Sequence, residues 1–281
     1  MIAPVVDPEA VAGLDPSCRA VVDVRWYLDG RDGRAAFEQS HIAGAVWVDL
    51  DSALAGHDQP ATHGRHPFPS PEAFAESMSA LGIGDDTVVV AYDDTGGLTA
   101  GRLVVMLRML GRQAAVLNGG LTAWVAAGHP TQTGPADEPT RQTFTATPWP
   151  SDRLATADDA QHLAATGGAV IDARSFERFT GEQTLADPRP GHIPGARNAP
   201  WSEVLDDNGR LRPTDELHAH YAALGITEAS TASIAYCGSG VSACMNIVAM
   251  EHAGLTPPRL YIASWSGWSA DPNRPAELGQ P

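Results

Sequence analysis

The sequence predicts an α/β protein with two tandem domains, each a mostly parallel sheet flanked by helices. Three observations lead to this prediction. A chain of 281 residues is long enough to bury two separate cores. Short β-branched runs alternate with helical patterns in both halves, and an internal repeat relates one half to the other. We place the two domains at 1–145 and 146–281.

The repeat is a series of motifs that recur in the same order. The clearest pairs are Val-Val-Asp-Val-Arg at 21–25 with Val-Ile-Asp-Ala-Arg at 170–174, His-Ile-x-Gly-Ala at 41–45 and 192–196, and Leu-Gly-Ile at 81–83 and 224–226. The arginines of the first pair, Arg25 and Arg174, occur in both halves. We therefore expect them to pair with acids in a structural role.

Each predicted element follows from a local pattern. Apolar, partly β-branched runs predict strands at 20–24, 88–92, 114–117, 169–172, 232–236 and 259–262. Helices are predicted at 71–81, 100–110 and 241–253. The last two end before a glycine, as a C-cap requires. The Pro- and Thr-rich stretch 129–150 lacks helical periodicity and predicts a linker.

The charge of the chain excludes several classes of function. The formal net charge is −16, which disfavours nucleic acids and anionic membrane surfaces as partners. All 18 basic residues are arginine, so mechanisms that need a Schiff-base lysine or a phosphate-loop lysine are excluded. A small anionic substrate must therefore be held by arginine side chains or backbone N–H groups.

Neither a membrane segment nor a cofactor is expected. No apolar run approaches the roughly 18 residues that a membrane span needs, and the first residues do not resemble a secretory signal, which predicts a cytoplasmic protein. The three cysteines are an odd number without a Cys-x-x-Cys pair, which supports neither a disulfide framework nor a zinc site.

The chemistry is expected at Cys237, where a strand leads through a glycine-rich turn into a helix. Backbone N–H groups of such a turn and the helix dipole favour negative charge on the sulfur, as a thiolate or a persulfide. The glycines let the backbone curl around the sulfur without side-chain clashes. The candidate loop comprises Cys237, Gly238, Ser239, Gly240, Val241 and Ser242. Cys244 and Cys18 are interpreted as packing residues.

Two other chemistries are possible for a cysteine on such a loop. A Cys-x5-Arg phosphatase would have an arginine six residues after Cys237, where this chain has Ala243 and no cation in between, so a phosphatase is disfavoured. A cysteine hydrolase would need a histidine base. The sequence alone leaves open whether His41 or His192 reaches the sulfur.

With the repeat and the Cys-Gly-Ser-Gly-Val-Ser-Ala loop in place, the chain resembles the tandem-rhodanese sulfurtransferases over nearly its full length. The loop is similar to the Cys-Gly-Ser/Thr-Gly-Val-Thr-Ala loop of 3-mercaptopyruvate sulfurtransferases, and unlike the Cys-Arg-Lys-Gly-Val-Thr loop of thiosulfate sulfurtransferases. The run at 261–268 is similar to the family's Tyr-Asp-Gly-Ser-Trp-x-x-Trp, with Ile262 and Ala263 in place of Asp and Gly.

The resemblance implies two rhodanese-like domains and a role for each site residue. Cys237 would carry sulfur as a persulfide, from a small anionic donor such as 3-mercaptopyruvate or thiosulfate to cyanide, a thiol or a thioredoxin-like acceptor. No metal or organic cofactor is implied. Asp93 stands where the first half would have its cysteine, so the first domain would be catalytically silent. The implied catalytic residues are Cys237, Ser239, Asp32 and His41, and the implied substrate-binding residues are Arg178, Arg189, Gly238, Gly240, Val241 and Ser242.

One structural and one functional alternative accompany these roles. The His-Ile-x-Gly-Ala motif occurs in both halves, so His41 and His192 could equally cap a turn. At the level of function, the alternative is a non-catalytic rhodanese-fold module that delivers or senses sulfur without turnover. The intact cysteine loop favours the enzyme.

Overall fold

The computed structural model describes residues 1–185, 187, 189–227 and 232–280. The chain forms two compact units. Unit 1 comprises 1–56, 69–149 and 207–211, and unit 2 comprises 57–68, 150–206 and 212–281. The sequence did not indicate that 57–68 and 207–211 would each join the unit of the other half. Within the described ranges, no helix has the length and apolar character that crossing a membrane requires.

Unit 1 is built on a five-stranded parallel sheet with strand order β1-β6-β5-β2-β4. A short antiparallel pair, β3 with β7, accompanies it. Its strands are β1 (Val5–Val6), β2 (Arg19–Asp23), β3 (His41–Ile42), β4 (Val46–Trp47), β5 (Val88–Tyr92), β6 (Ala114–Leu117) and β7 (Thr131–Gln132). Its helices are α1 (Pro8–Ala12), α2 (Gly33–Gln39), α3 (Leu50–Ala53), α4 (Pro71–Ala80), α5 (Ala100–Met109) and α6 (Gly120–Ala126).

Unit 2 is built on a four-stranded parallel sheet with strand order β11-β10-β8-β9. Its strands are β8 (Ala169–Asp172), β9 (Arg197–Asn198), β10 (Ser233–Tyr236) and β11 (Arg259–Leu260). Its α-helices are α7 (Ala157–Ala165), α8 (Phe176–Thr180), α9 (Thr214–Ala223), α10 (Ala243–His252) and α11 (Ser264–Ala270). Three 3-10 helices lie at Ala61–His63, Ser151–Arg153 and Trp201–Val204.

The predicted fold class, two α/β domains with parallel sheets, is confirmed. The central strands are buried apolar runs, as parallel strands covered by helices on both faces must be. Strand β5 has the predicted bounds, whereas the strand predicted at 259–262 pairs only over Arg259–Leu260. The reason is that Ile262 already lies in the turn that leads into α11.

The repeated motifs hold equivalent structural positions in the two units. Arg25 forms a buried ion pair with Asp23, and Arg174 forms one with Asp172, each with an N···O distance of 2.6 Å. The expected acid pairing of both arginines is therefore confirmed. These pairs lie at the carboxyl ends of β2 and β8. In a parallel sheet this is the same edge at which the neighbouring strands β5 and β10 lead into their loops.

Candidate active site

Cys237 directly follows the central strand β10, and its sulfur lies inside a tight turn. The Gly240 N–H donates to the Cys237 Sγ at 3.1 Å. Gly240 has a φ of 76°, a left-handed conformation that glycine adopts without strain. The residue is 1% exposed, so the sulfur is shielded from bulk water. The turn thus places a backbone donor on the sulfur, which suits a thiolate or persulfide anion.

The first turn of α11 fixes the backbone of the cysteine loop. The Cys237 N–H donates to the Ser264 Oγ at 3.1 Å. The Trp265 N–H donates to the Cys237 carbonyl and the Ser266 N–H to the Gly238 carbonyl, both at 2.9 Å. These three hydrogen bonds restrain the backbone on both sides of the Cys237 side chain.

The loop residues after the glycines, Val241 and Ser242, lead into helix α10. The Val241 carbonyl accepts from the Cys244 N–H, and the Ser242 carbonyl accepts from the Met245 N–H, both at 3.1 Å. Cys244 is buried and donates its thiol to the Gly240 carbonyl at 3.4 Å. This contact agrees with the packing role expected for Cys244. Cys18 lies exposed in unit 1, so the packing role expected for it is wrong, because it stands in the turn before β2 and not in the core.

The 57–68 segment brings two further side chains to the loop. Its 3-10 helix packs on α11, where a Cβ on Gly267 would lie 2.6 Å from the Thr62 carbonyl oxygen. A Cβ on Gly64 would likewise overlap the Ala263 carbonyl. The Arg65 N–H donates to the Ser266 Oγ at 3.1 Å. Two glycines therefore permit the close approach that positions Arg65 and His66.

His66 contacts the loop through Ser239. The Nδ1 of His66 and the Ser239 Oγ are 2.8 Å apart, and both residues are buried. A hydroxyl bound to an imidazole can act as a proton donor or acceptor, and this one lies two residues from Cys237. The histidine that contacts the cysteine loop is thus His66, which was not among the two histidines considered as bases from the sequence.

Arg178 also lies against the loop, on helix α8. A Cβ added to Gly238 would lie 2.7 Å from the Arg178 Nη2 and 3.2 Å from the Arg65 Nη2. The Arg178 Nε is buried, and no described residue accepts its hydrogen. A buried donor without an acceptor is costly. This geometry suits an anion that supplies the missing acceptor beside the cysteine.

Arg189 is placed differently from Arg178. Its Nε donates to the Ser269 carbonyl at 3.1 Å, and its Nη2 donates to the carbonyls of Asp271 and Arg274 at 3.3 and 3.0 Å. These contacts tie the chain to the end of α11. They favour a structural role for Arg189. Its role in binding the substrate stays a prediction.

The two acid–base candidates of the first half have structural contacts within unit 1. Asp32 caps helix α2 by accepting from the N–H groups of Arg34 and Ala35. The His41 ring stacks on Phe37 at 3.8 Å, and its Nδ1 lies 2.9 Å from the Phe37 carbonyl oxygen. Their roles in proton transfer stay predictions.

His192 repeats the geometry of His41 in unit 2. Its ring stacks on Phe179 at 3.7 Å, and its Nδ1 lies 2.9 Å from the Phe179 carbonyl oxygen. Burial lowers the pKa of His192, so the ring is held neutral. The same stacking in both units supports the structural alternative for the His-Ile-x-Gly-Ala motif. No cluster of three metal-ligating side chains occurs in the described part of the chain.

The model of the rhodanese-like domain matches this chain twice, over residues 8–127 and 156–271. The chain belongs to the rhodanese family. The expected resemblance is therefore confirmed for both halves. The tandem arrangement accounts for the two parallel sheets and for the paired motifs.

Curated relatives in the rhodanese family match most of the chain. A probable 3-mercaptopyruvate sulfurtransferase of Pseudomonas aeruginosa is 39% identical over 267 residues, which cover 92% of each chain. The 3-mercaptopyruvate sulfurtransferase of Escherichia coli is 33% identical and covers 94% of this chain and 93% of its own. A putative thiosulfate sulfurtransferase SseB of Mycobacterium tuberculosis is 38% identical over 92% of this chain and 91% of its own.

Solved structures agree with these rhodanese relatives. The 3-mercaptopyruvate sulfurtransferase from Leishmania major superposes with a TM-score of 0.84 at 33% identity, covering 95% of this chain and 74% of that one. SseA from Escherichia coli, described as a 3-mercaptopyruvate sulfotransferase with the rhodanese fold, superposes with a TM-score of 0.82 at 30% identity, covering 94% and 99%.

Proposed function

We propose that this chain is a sulfurtransferase that moves sulfur from 3-mercaptopyruvate to a thiophilic acceptor through a persulfide on Cys237. The observation that carries the proposal is the cysteine loop, in which a backbone N–H points at the sulfur and the loop is bound by α11. The names of the curated relatives support the same reaction class. Unit 2 supplies the chemistry, and unit 1 is catalytically silent.

The first half-reaction is a displacement at sulfur. The Cys237 thiolate attacks the thiol sulfur of the donor, a new S–S bond forms, and the C–S bond breaks. The bonding electrons leave with the carbon as the enolate of pyruvate, which takes up a proton. In the second half-reaction an acceptor such as cyanide or a thiol attacks the outer sulfur, and the Cys237 thiolate returns. This order gives ping-pong kinetics.

Two features of unit 2 support 3-mercaptopyruvate as the donor. The loop has no cation of its own between 238 and 243, whereas thiosulfate is a compact dianion that benefits from cations beside the sulfur. Arg178 and Arg65 lie at Gly238, where they can hold a carboxylate a few bonds from the reacting sulfur. The relative named as a putative thiosulfate sulfurtransferase makes thiosulfate the second candidate.

Ser239 and His66 supply the proton route. The hydroxyl of Ser239 is bound to His66 at 2.8 Å and follows the nucleophile by two residues. Such a pair can pass a proton to the departing enolate carbon, which costs less than releasing the carbanion unprotonated. Cyanide, small thiols and thioredoxin-like proteins are the proposed acceptors, and a cytoplasmic location stays a prediction.

The nucleophile is tested by mass spectrometry of the protein after exposure to donor without acceptor. We expect a gain of about 32 Da, one sulfur atom, on the peptide that contains Cys237. Cys237→Ser should remove both the gain and the turnover, and Cys244→Ser, a buried cysteine on the adjoining helix α10, is the matched control. Sulfur on Cys244, or turnover by Cys237→Ser, would contradict the assignment.

A second experiment distinguishes an enzyme from a sulfur carrier, and it also distinguishes the two candidate donors. Steady-state turnover is measured with 3-mercaptopyruvate and with thiosulfate. We expect a higher kcat/KM for 3-mercaptopyruvate. A wild-type protein that takes up one sulfur but does not turn over would support the carrier. A higher kcat/KM for thiosulfate would reject the donor and leave the persulfide mechanism standing.

A further inference from the structure

The carboxylate of Asp187 lies among three arginines of unit 2. Its Oδ1 is 3.0 Å from the Arg65 Nη1, and its Oδ2 is 2.5 Å from the Arg178 Nη2 and 3.4 Å from the Arg174 Nη1. The side chain of Asp187 is 1% exposed. A carboxylate this deeply buried and this closely surrounded by cations exerts its full electrostatic influence on them.

Two of these arginines face the cysteine loop, and Asp187 forms an ion pair with each of them. The Nη2 atoms of Arg178 and Arg65 lie within 2.7 and 3.2 Å of the position that a Cβ on Gly238 would take. Arg65 arrives from the 57–68 segment and Arg178 from α8. Like charges at this distance repel each other. A carboxylate that bridges the two guanidinium groups offsets this repulsion beside Gly238.

Asp187 also sets the charge that a donor meets. Arg174 is already paired with Asp172 at 2.6 Å, with a second contact to Asp187. We call these five groups the arginine cluster: Arg65, Arg174, Arg178, Asp172 and Asp187. Its three cations face two carboxylates, which leaves one net positive charge. The single net positive charge of the arginine cluster is balanced by a ligand with one carboxylate.

We propose that Asp187 is a positioning residue that determines donor specificity by matching the arginine cluster to a monoanion. The inference rests on the proposed sulfurtransferase function. With Asp187 ionised, an α-keto monocarboxylate such as 3-mercaptopyruvate neutralises the cluster. A dianion such as thiosulfate leaves it with an excess of negative charge, in a chain whose net charge is already −16.

The test compares Asp187→Asn, which removes the charge and keeps the shape, with Asp187→Glu, which keeps the charge. The measured quantity is the ratio of kcat/KM for thiosulfate to kcat/KM for 3-mercaptopyruvate. Loss of one buried charge should raise this ratio about tenfold or more in Asp187→Asn. Asp187→Glu should stay within about threefold of wild type. An equal loss for both donors in a folded Asp187→Asn protein would show a merely structural role and overturn the proposal.

A binding measurement separates this inference from the proposed function. Pyruvate, a monoanion, and sulfate, a dianion, carry no transferable sulfur, and Cys237→Ser removes the nucleophile. In this background, titration calorimetry should show that Asp187→Asn strengthens sulfate relative to pyruvate by about tenfold. If the wild-type protein forms no persulfide but the preference for sulfate over pyruvate still changes, the proposed sulfurtransferase function is rejected and the role of Asp187 in anion preference is retained. An unchanged preference in an enzyme that forms persulfide rejects the Asp187 inference alone.

Folding of the variant is checked by circular dichroism. If Asp187→Asn does not fold, inhibition of the unsubstituted enzyme by the same two anions tests the charge balance. The proposal expects sulfate to inhibit no more tightly than pyruvate. Sulfate inhibition more than about tenfold tighter than pyruvate inhibition would overturn it.

Discussion

The loops after β5 and β10 occupy the same position in the two units but are closed by different groups. In unit 1 the carboxylate of Asp93 accepts from the N–H groups of Thr95, Gly97, Thr99 and Ala100 and from the Thr99 hydroxyl, at 2.8 to 3.0 Å. In unit 2 the corresponding turn places the Gly240 N–H on the Cys237 sulfur at 3.1 Å. Both loops direct backbone donors inward.

The difference teaches what the loop does. An anion built into the chain fills the loop of unit 1, and Asp93 is buried at 1% exposure. The loop of unit 2 has the sulfur of Cys237 at the same position. One rhodanese loop is thus closed by the carboxylate of its own chain, and the other places a backbone donor on a thiol, as the proposed persulfide chemistry requires.

The side chains near the two loops also differ. Thr95, two residues after Asp93, has a buried hydroxyl without a hydrogen-bond partner among the described residues, whereas Ser239, two residues after Cys237, is bound to His66. Four residues after Arg25 stands Asp29, whereas four residues after Arg174 stands Arg178. Among the described residues, the loop of unit 2 therefore combines a sulfur with a serine bound to histidine and with a neighbouring arginine.

The largest expected effect concerns stability and tests whether Asp93 closes its loop. Asp93→Ala leaves several buried donors without an acceptor and should lower the free energy of unfolding by about 3 kcal/mol or more. Cys237→Ala removes one weak contact and should cost about 1 kcal/mol. Urea unfolding followed by tryptophan fluorescence measures both.

The same variant tests the silence of unit 1. At a temperature where Asp93→Ala remains folded, kcat with 3-mercaptopyruvate should stay within about threefold of wild type. A hundredfold loss of kcat in a folded protein would show that unit 1 takes part in the chemistry. The loop of unit 1 would then not be catalytically silent.

A smaller effect is expected from the proton route of unit 2. His66→Asn and Ser239→Ala should each lower kcat about a hundredfold, and the double variant should lose little more, because the two side chains act as one relay. Thr95→Val is the matched control in unit 1 and should leave kcat unchanged. Additive losses in the double variant would contradict the relay.

The smallest effect concerns the cation. Arg178→Ala removes a charge-assisted contact of about 1.5 to 3 kcal/mol and should lower kcat/KM roughly ten- to a hundredfold, mainly with 3-mercaptopyruvate. Arg189→Ala should change kcat/KM less than about threefold, since its guanidinium binds backbone carbonyls. An equal loss of kcat/KM in the two variants would indicate that Arg189 also binds the sulfur donor.

The sequence by itself determined the local features of this protein. The repeat, the central strands and the strand-turn-helix around Cys237 are set by short-range patterns of apolar residues, glycines and turn residues, and these appear as predicted. The recurrence of Arg25 and Arg174 also predicted their acid pairs, because each pair joins residues two positions apart.

Only the tertiary structure decided which distant residues meet the loop. Leu81 lies 40 residues after His41, but Leu224 lies only 32 after His192, so the first half carries extra residues without a counterpart. This length difference was the available signal, yet it does not reveal where the extra chain goes. Packing of 57–68 on α11 through Gly64 and Gly267 brings Arg65 and His66 to the cysteine loop. Such contacts span more than a hundred positions, where periodicity and turn chemistry carry no information.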